Sequence, residues 1–310
     1  MPRVVKVAAT QLEITRDPEK NLAKAEKIIR EAAAAGANVI LLQELFENWY
    51  FCQEQKGEYF DWAKPLEESK PVQRLSKLAK ELGVVLPVSF FERVNNAHFN
   101  SLAMIDADGS VLGVYRKSHI PDGPGYQEKF YFSPGDTGFK VWDTKFGRLG
   151  AGICWDQWFP ETARSLALMG AEVLFYPTAI GSEPEDPSYN SYPHWTRTML
   201  GHAAANLVPV VASNRIGTET WAKSSITFYG GSFISGQRGE VLAQVGAKEL
   251  KDGNLHPNPD KVEGFVVHAF DLDQCRTNRL GWGVFRDRRP ELYTPLVTLD
   301  GSLKHHSLSA

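Results

Sequence analysis

The strongest constraint on the fold is a repeated alternation of short apolar runs with amphipathic stretches. Residues 4–10 and 38–42 are typical of buried strands, and residues 19–35 between them carry apolar side chains at helical spacing until Gly36. A second strand–helix–strand unit follows over residues 147–177. Such units place parallel strands side by side with the connecting helix packed on the sheet. The sequence therefore predicts an α/β fold.

Further periodic segments add antiparallel pieces to this pattern. Residues 100–115 predict a hairpin because two apolar runs flank the turn sequence ADGS. Helices are also expected at 67–82, 190–206 and 271–280, and strands at 84–90, 208–213, 226–235, 241–245 and 264–270. Three segments without a periodic pattern, 116–138, 181–193 and 247–262, predict long loops of the kind that often carry function. We expect one domain over residues 1–300 and a C-terminal tail over 301–310.

Composition excludes several classes of function. The net charge of −3 gives no basic surface for nucleic acid, and no stretch approaches the 18 apolar residues that a membrane span requires. The first residues carry no apolar segment typical of a signal peptide. The three cysteines are far apart, which argues against a zinc site or a disulfide framework. We expect a cytoplasmic protein with no nucleic-acid or membrane partner.

One cysteine stands at a position that favours reactivity. Cys154 follows the small-residue run RLGAGI and precedes a helix that begins near Pro160, whereas Cys52 and Cys275 are interpreted as ordinary buried thiols. A nucleophile at a strand–turn–helix junction is exposed above the sheet, and the next backbone N–H, that of Trp155, can help to form an oxyanion hole. The positive N-terminus of the helix would favour the thiolate.

A cysteine nucleophile needs a base, and the sequence offers two kinds. His119, His194 and His202 are the usual type, although each is equally compatible with a loop or a helix surface. Glu44 directly follows the apolar strand NVILLQ, where loss of water would make a carboxylate a usable base. Lys117 ends another strand and could hold an oxyanion. Active sites in α/β sheets lie beyond the carboxyl ends of strands, where these residues stand.

Three motifs together resemble the carbon–nitrogen hydrolase (nitrilase) superfamily. They are QELF (43–46), YRKSHIPDGPGYQEKFYFSPGD (115–136) and GAGICWDQWFPE (150–161), and the resemblance runs from about Val4 to Leu299. It implies a four-layer α-β-β-α sandwich with pseudo-twofold symmetry. It also implies self-association as a homo-oligomer, from a dimer to an octamer, for which residues 160–169 and 282–299 are candidate interface segments.

The resemblance also implies the roles of four residues. Glu44, Lys117 and Cys154 match the Glu-Lys-Cys triad of the superfamily, and Glu128 matches a second glutamate that precedes the FxPG segment ending at Gly135. In the implied reaction Glu44 takes the thiol proton, Cys154 forms a thiol-ester-type intermediate, and Lys117 with the Trp155 N–H stabilises the oxyanion. Glu128 orients Lys117 and the substrate. No metal or other cofactor is implied.

Within the superfamily, segments such as KELGVVLPVSFFE and LFYPTAIGSEP are most similar to the branch that hydrolyses N-carbamoylputrescine. The implied products are putrescine, CO2 and ammonia, in putrescine biosynthesis from agmatine. This small cationic ureido substrate requires an apolar sleeve and a distal carboxylate. The candidates for its binding are Tyr50, Phe130, Trp155 and Trp158 for the sleeve and Glu183 for the amine. Whether Asp156, Gln157, Glu185 and Asp186 contact substrate stays open.

Three alternatives compete with this interpretation. Another amide hydrolase of the superfamily, such as a β-ureidopropionase-like enzyme, would bind a carboxylate tail and need an arginine, for which Arg197 and Arg215 are available. A catalytically inactive binding module is disfavoured, because Glu44, Lys117 and Cys154 are all present. A Cys–His hydrolase would require His119 within hydrogen-bond reach of the Cys154 sulfur.

Overall fold

The computed structural model describes residues 2–247, 254 and 259–302. The helices are α1 (Pro18–Ala34), α2 (Lys70–Leu82), α3 (Pro160–Leu168), α4 (Tyr192–Asn206) and α5 (Leu272–Trp282). The strands are β1 (Val4–Gln11), β2 (Val39–Leu41), β3 (Leu86–Val94), β4 (Ala97–Ile105), β5 (Val111–Arg116), β6 (Lys140–Thr144), β7 (Gly147–Ala151), β8 (Val173–Pro177), β9 (Val210–Ser213), β10 (Ile216–Thr220), β11 (Ser225–Tyr229), β12 (Phe233–Ser235), β13 (Val241–Gln244) and β14 (Gly264–Asp271).

Two sheets with the same internal order make up the centre of the molecule. The first runs β14-β1-β2 and continues through a parallel bridge between Val39 and Val85 into β3-β4-β5. The second runs β6-β7-β8-β9-β12-β13. In this direction both sheets begin with one antiparallel pair, continue with two parallel pairings and end with two antiparallel pairs. Because α1 and α3, and then α2 and α4, make equivalent crossovers, the two halves are related by a pseudo-twofold axis.

Side-chain packing orders these elements into four layers. Residues of both sheets share one buried cluster, so the sheets pack face to face. The helices α1 and α2 cover the outer face of the first sheet, and α3 and α4 cover that of the second. The intersheet cluster contains Val5, Val7, Val39, Leu102 and Met104 from the first sheet and Leu149, Val173, Phe175, Val211 and Ile234 from the second. The predicted α-β-β-α sandwich is confirmed.

Local sequence signals account for the limits of the first two helices. Asp17 caps α1 by accepting hydrogen bonds from the backbone N–H groups of Glu19 and Lys20, and Pro18 occupies the first turn. The helix α2 ends at Gly83, which adopts a left-handed conformation with φ of +68°. A capping aspartate, a proline in the first turn and a C-terminal glycine are common helix boundaries, so the start of α1 and the end of α2 lie close to where the sequence predicts them.

The structure differs from the sequence-based elements in three places. The strand expected over 226–235 is divided, because Gly230 and Gly231 adopt positive φ and send β11 and β12 into different sheets. The strand expected over 147–154 ends at Ala151, three residues before the cysteine. Two strands, β6 and β10, were not predicted. The expected loop 247–262 and tail 301–310 lie largely outside the described residues.

Candidate active site

The ends of three strands bring the predicted triad together. Glu44 lies three residues beyond β2, Lys117 directly follows β5, and Cys154 lies three residues beyond β7. All three side chains are buried, and the charges of Glu44 and Lys117 both act on the thiol of Cys154. Glu44 and Lys117 are 73 residues apart in the chain, and Lys117 and Cys154 are 37 residues apart. The fold therefore brings three distant segments together at one site.

Cys154 occupies a strained turn rather than the end of a strand. It opens a single 3-10 turn, Cys154–Trp158, with φ of +41°, a backbone conformation that is costly for a residue other than glycine. Its Sγ lies 3.9 Å from the carbonyl oxygen of Ala179, and its side chain is nearly buried. A strained turn that presents a nucleophile is the arrangement found at nucleophile elbows.

The resting state of Cys154 is the thiol. Burial raises the pKa of Cys154 well above its ordinary value, the negative charge of Glu44 raises it further, and Lys117 only partly opposes both effects. The helix α3 begins at Pro160, as the sequence predicts, and the stabilisation of a thiolate by its N-terminus stays a prediction. The nucleophile therefore needs a base that removes its proton during the reaction.

Lys117 joins the two buried glutamates. Its Nζ donates to Oε1 of Glu44 at 2.8 Å and to Oε2 of Glu128 at 2.6 Å, and the lysine side chain is fully buried. Burial works against the charge of Lys117, but the attraction of Glu128 and Glu44 outweighs it and raises the pKa of Lys117 well above its ordinary value. Lys117 is therefore a fixed positive charge and not a base.

The two oxygens of Glu44 have different surroundings. Oε1 accepts hydrogen bonds from Lys117 and, at 2.7 Å, from Nδ2 of Asn100. Oε2 is buried and has no hydrogen-bond partner among the described residues. An unpaired carboxylate oxygen in a buried site is costly unless another group uses it. Oε2 is therefore the oxygen of Glu44 that is free to take part in chemistry.

Glu128 is held from both sides. Its Oε2 accepts from Lys117, and its Oε1 accepts from the hydroxyl of Tyr50 at 2.6 Å. Burial raises the pKa of Glu128 to about 7, although Lys117 acts in the opposite direction. Tyr50 was expected in the substrate sleeve; its side chain is buried, and its hydroxyl is bonded to Glu128. Tyr50 thus acts on the catalytic glutamate.

Trp155 contributes to the site through both its backbone and its ring. Within the described residues no acceptor takes the backbone N–H of Trp155, which leaves it available as an oxyanion donor next to the thiol. Its indole is 39% exposed and meets that of Trp158 edge to face, with centroids 6.2 Å apart. Both indoles line one cavity, and their contact with substrate stays a prediction.

The cavity lined by these indoles has a volume of 460 Å³ and carries acidic groups. Glu183 is partly buried and accepts a hydrogen bond from Oγ of Ser191 at 3.0 Å, whereas Glu185 and Asp186 are exposed. Tyr126 lies near both the thiol and the acidic residues, because the charges of Cys154 and Glu183 both act on its hydroxyl. The cavity is lined by Pro124, Trp155, Trp158, Glu183, Pro184, Glu185, Asp186, Tyr189, Ser191 and His194.

One predicted sleeve residue lies elsewhere. The ring of Phe130 is 40% exposed and packs against Phe60 and Tyr131, with centroid distances of 5.7 and 4.9 Å. It does not line the cavity beside Trp155. The short 3-10 turn Glu128–Phe130 directs Glu128 inward and Phe130 outward, so a contact of Phe130 with substrate stays a prediction that this cavity does not support.

The two residues after Trp155 hold the turn in place. Asp156 is buried and accepts hydrogen bonds from the hydroxyl of Tyr115 (2.7 Å), the N–H of Ile153 (2.9 Å) and the N–H of His119 (3.0 Å). Oε1 of Gln157 accepts from Nε1 of Trp195 at 2.8 Å. Neither residue caps α3. Asp156 anchors the catalytic turn to the loop that follows Lys117.

The ring of His119 contacts Asp156 and Phe159. Its Nδ1 lies 2.7 Å from Oδ1 of Asp156, and it stacks on Phe159 with centroids 3.6 Å apart. Among the described residues the sulfur of Cys154 has its hydrogen-bond contact with Ala179 and none with a histidine. The Cys–His alternative therefore lacks the contact that it requires.

Neither candidate arginine is available for a carboxylate tail. Arg215 is fully buried, is paired with Glu219 at 2.9 Å, and donates to the carbonyl of Glu44 at 2.6 Å. Arg197 lies on an exposed position of α4 and does not line the cavity. The anion-binding site that a β-ureidopropionase-like substrate needs is thus not formed by these residues.

Three functional contacts were missed in the sequence. They are made by Asn100, by Tyr126, which lies in the 115–136 motif but was given no role, and by the pair Arg215–Glu219, of which Arg215 was considered only for a carboxylate tail. Asn100 is the one with a usable indication, because it starts the predicted hairpin strand opposite the end of the Lys117 strand. The backbone N–H of Lys117 donates to the carbonyl of Asn100 at 2.8 Å.

The described residues contain neither a candidate membrane span nor a candidate metal cluster. No helix in the described residues is long and apolar enough to cross a membrane. In residues 2–247, 254 and 259–302, no three His, Cys, Asp or Glu side chains are grouped as metal ligands.

Comparison with known proteins agrees with the geometry of the site. The chain is 60% identical over 304 residues to the N-carbamoylputrescine amidase of Solanum tuberosum, covering 97% of both chains. It is 53% identical to the citrullinase of Francisella tularensis, with 94% of this chain and 98% of the relative covered. The β-ureidopropionase of Arabidopsis thaliana is more distant, at 27% identity over 96% of this chain and 73% of its own length.

Solved structures and family models lead to the same classification. The crystal structure of a carbon-nitrogen hydrolase from Helicobacter pylori G27 matches with a TM-score of 0.87 and 37% identity, covering 96% of this chain and 99% of that chain. The family model for carbon-nitrogen hydrolases matches residues 6–276. The chain belongs to the carbon-nitrogen hydrolase family.

Proposed function

We propose that this enzyme hydrolyses N-carbamoylputrescine to putrescine, CO2 and ammonia. The observation that carries the proposal is a buried Glu44–Lys117–Glu128 network that acts on Cys154, together with a cavity that begins at the next residue, Trp155, and is lined by two indoles and three acidic residues. The ureido head, four-carbon stem and ammonium tail of this substrate match the triad, the Trp155–Trp158 wall and Glu183 in turn. The identity to relatives named N-carbamoylputrescine amidase supports the same substrate.

The first half-reaction uses the free oxygen of Glu44. Oε2 of Glu44 takes the proton from Cys154 while the sulfur attacks the ureido carbon, which gives a tetrahedral oxyanion. The Lys117 ammonium and the Trp155 N–H stabilise that charge, and each such donor is worth about 3 kcal/mol. The bond to the terminal nitrogen then breaks. Ammonia leaves with the proton that Glu44 returns, and a thiocarbamate remains on Cys154.

The second half-reaction releases the product. Glu44 removes a proton from water, the hydroxide attacks the thiocarbamate carbon, and the carbon–sulfur bond breaks with return of a proton to Cys154. The carbamate that leaves loses CO2 and becomes putrescine. Glu128 keeps Lys117 aligned through both steps, because it accepts one of the lysine's hydrogen bonds at 2.6 Å. This scheme uses only side chains, one backbone N–H and water.

The acidic end of the cavity supports a cationic rather than an anionic tail. Glu183 is the partly buried acid of the three, and its contact with Ser191 fixes its orientation. Trp155 and Trp158 add cation–π attraction along the stem. A substrate with a carboxylate at this end would be repelled by Glu183, Glu185 and Asp186 and would find no free arginine there.

A substrate panel scored by ammonia release tests the proposal. We expect the highest kcat/KM for N-carbamoylputrescine, a lower value for citrulline, whose α-carboxylate meets the acids, and the lowest for N-carbamoyl-β-alanine. Cys154→Ala should abolish release while the protein stays folded. A preference for citrulline or N-carbamoyl-β-alanine, or retained turnover in Cys154→Ala, would contradict the proposal.

The tail-binding role of Glu183 has its own matched control. Glu183→Gln should raise KM for N-carbamoylputrescine roughly tenfold or more, because a partly buried charge pair is lost. The KM for neutral N-butylurea should change little. Glu185→Gln, an exposed acid on the same cavity, should change KM by less than about threefold. Equal effects of Glu183→Gln on both substrates would remove Glu183 from the amine site.

We further propose that the enzyme works in the cytoplasm as a homo-oligomer. All three cysteines, Cys52, Cys154 and Cys275, are free thiols, which fits a reducing compartment. Large apolar side chains are exposed on neighbouring surface elements, which supports self-association. These side chains are Leu168 and Met169 after α3, Leu280 and Trp282 at the end of α5, and Leu292, Leu296 and Val297 in the C-terminal segment.

A further inference from the structure

A buried ion pair behind the active site contacts the backbone of Glu44 directly and reaches Glu128 through Tyr50. Arg215 is fully buried and follows β9, and Glu219 lies four residues later in β10, with Nη1 of Arg215 2.9 Å from Oε1 of Glu219. Removing two charges from water is costly, so a buried pair is weak evidence for stability alone. The hydrogen bonds that this pair makes connect it to the segments that carry Glu44 and Tyr50.

One side of the pair holds the turn that carries Glu44. Nη2 of Arg215 donates to the carbonyl of Glu44 at 2.6 Å and to that of Leu45 at 3.1 Å. Leu45 adopts φ of +46°, a strained conformation for a leucine. The planar guanidinium can bind these two carbonyls and Glu219 at the same time because its donors form a rigid fork.

The other side of the pair leads to Glu128. Oε2 of Glu219 accepts from the backbone N–H of Tyr50 at 2.5 Å, and the hydroxyl of Tyr50 donates to Glu128 at 2.6 Å. Glu219 is itself buried, and burial raises its pKa while Arg215 and the nearby charge of Arg16 lower it. The position of the Tyr50 backbone, and with it the position of its hydroxyl, depends on Glu219.

We propose that Arg215 and Glu219 form a positioning pair that sets the places of Glu44 and Glu128 on either side of Lys117. Neither residue contacts the reacting atoms. Arg215 acts through the backbone of the Glu44 turn, and Glu219 acts through Tyr50. The inference rests on the proposed function only in that N-carbamoylputrescine is the substrate with which kcat and KM are measured.

The pair has a consequence for the pH dependence of the reaction. The groups that face Glu128 are Lys117, Tyr50, Glu44 and the thiols of Cys52 and Cys154. The hydrogen bond from Tyr50 favours the ionised carboxylate and therefore lowers the pKa of Glu128, which burial raises to about 7. Loss of that hydrogen bond raises the pH at which Glu128 becomes ionised, so the acid limb of the kcat profile moves to higher pH.

Arg215→Lys and Tyr50→Phe test the proposal in the full-length enzyme. Arg215→Lys keeps the charge but loses the fork, and we expect kcat to fall roughly tenfold or more while KM changes less than about threefold. Both variants should move the acid limb of kcat to higher pH. Arg74→Lys is the matched control, because Arg74 makes a similar two-point pair with Glu26 at the surface of α1 and α2; it should leave both constants within about twofold.

A substrate-independent readout separates this inference from the proposed function. The rate of Cys154 alkylation by iodoacetamide, measured against pH, reports on the same network and should show the same direction of shift in both variants. Should Arg215→Lys not fold, Glu219→Gln provides the same comparison. A lowered melting temperature with kcat per folded enzyme and both pH profiles unchanged would reduce the pair to a structural role and overturn the proposal.

Discussion

At the scale of single residues, the unequal surroundings of the two Glu44 oxygens decide how the site can work. Cys154 is a thiol at rest, so catalysis depends on a base oxygen that is free when substrate arrives. Lys117 and Asn100 both bind Oε1, and this leaves Oε2 unpartnered. Asn100 therefore holds Oε1 and leaves Oε2 free, and its place opposite Lys117 in the predicted hairpin is the one sign of this in the sequence.

Replacement of Asn100 tests this assignment. Asn100→Leu should lower kcat roughly 10- to 100-fold, because loss of a hydrogen bond to a charged group costs about 1.5–3 kcal/mol and lets Glu44 rotate. KM should change little, which steady-state ammonia release would measure. Asn206→Leu is the control: Asn206 is equally buried, makes one hydrogen bond to His202 and lies on α4. Equal losses of kcat in both variants would contradict the assignment.

At the scale of elements, the loop after β5 is fixed against the strand that it leaves. The N–H of Gly135 donates to the carbonyl of Lys117 at 2.8 Å, and that of Ser133 donates to the carbonyl of His98 at 2.9 Å. A Cβ at position 135 would lie 2.1 Å from the carbonyl oxygen of Arg116. The FxPG segment thus requires glycine for a close approach of two backbones directly beneath the catalytic lysine.

Substitution of that glycine should disturb both stability and activity. Gly135→Ala is expected to lower the free energy of unfolding by about 2–3 kcal/mol, because the clash is with backbone atoms that cannot rotate away. It should also lower kcat by displacing Lys117. Thermal unfolding and ammonia release measure the two effects. Gly123→Ala, in the same loop with open space around its Cα, should change neither stability nor kcat. A Gly135→Ala enzyme with the stability and kcat of the unmodified protein would contradict this prediction.

At the scale of the whole molecule, four layers leave one apolar surface uncovered. The helix ends at Leu168 and Trp282 and the C-terminal segment expose large side chains, with Trp282 73% exposed. Glu172 and Arg3 form an ion pair close to this surface and line a hollow with Leu168 and Leu280. An apolar surface with charged groups around it is typical of a subunit contact.

A charge on this surface should dissociate the proposed oligomer. Trp282→Glu is expected to shift the molar mass measured by light scattering to a smaller species, because burial of an unpaired carboxylate at an interface is costly. Leu112→Glu provides the control, since Leu112 is exposed on β5 away from this surface. Identical molar masses for Trp282→Glu and the unmodified protein would contradict the assignment of the surface as an interface.

The sequence by itself determined the fold class and the chemical types in the site. Hydrophobic periods of 2 and 3.6 residues are local properties, so the strand–helix alternation that builds both halves of the sandwich was readable along the chain. Glu44, Lys117 and Cys154 stood out because each follows a predicted strand, and Glu128 was identified through the resemblance of its loop to the superfamily motif. Local turn chemistry likewise gave the helix limits at Asp17 and Gly83.

Only the tertiary structure decided how those groups are oriented and what supports them. The inward Glu128 and the outward Phe130 differ by two positions in one short turn, and no periodic pattern separates them. The contact of Arg215 with Glu44 joins residues 171 positions apart. Such contacts depend on sheet register and on the packing of distant segments, and these are set by the burial of the whole core rather than by any local run of residues.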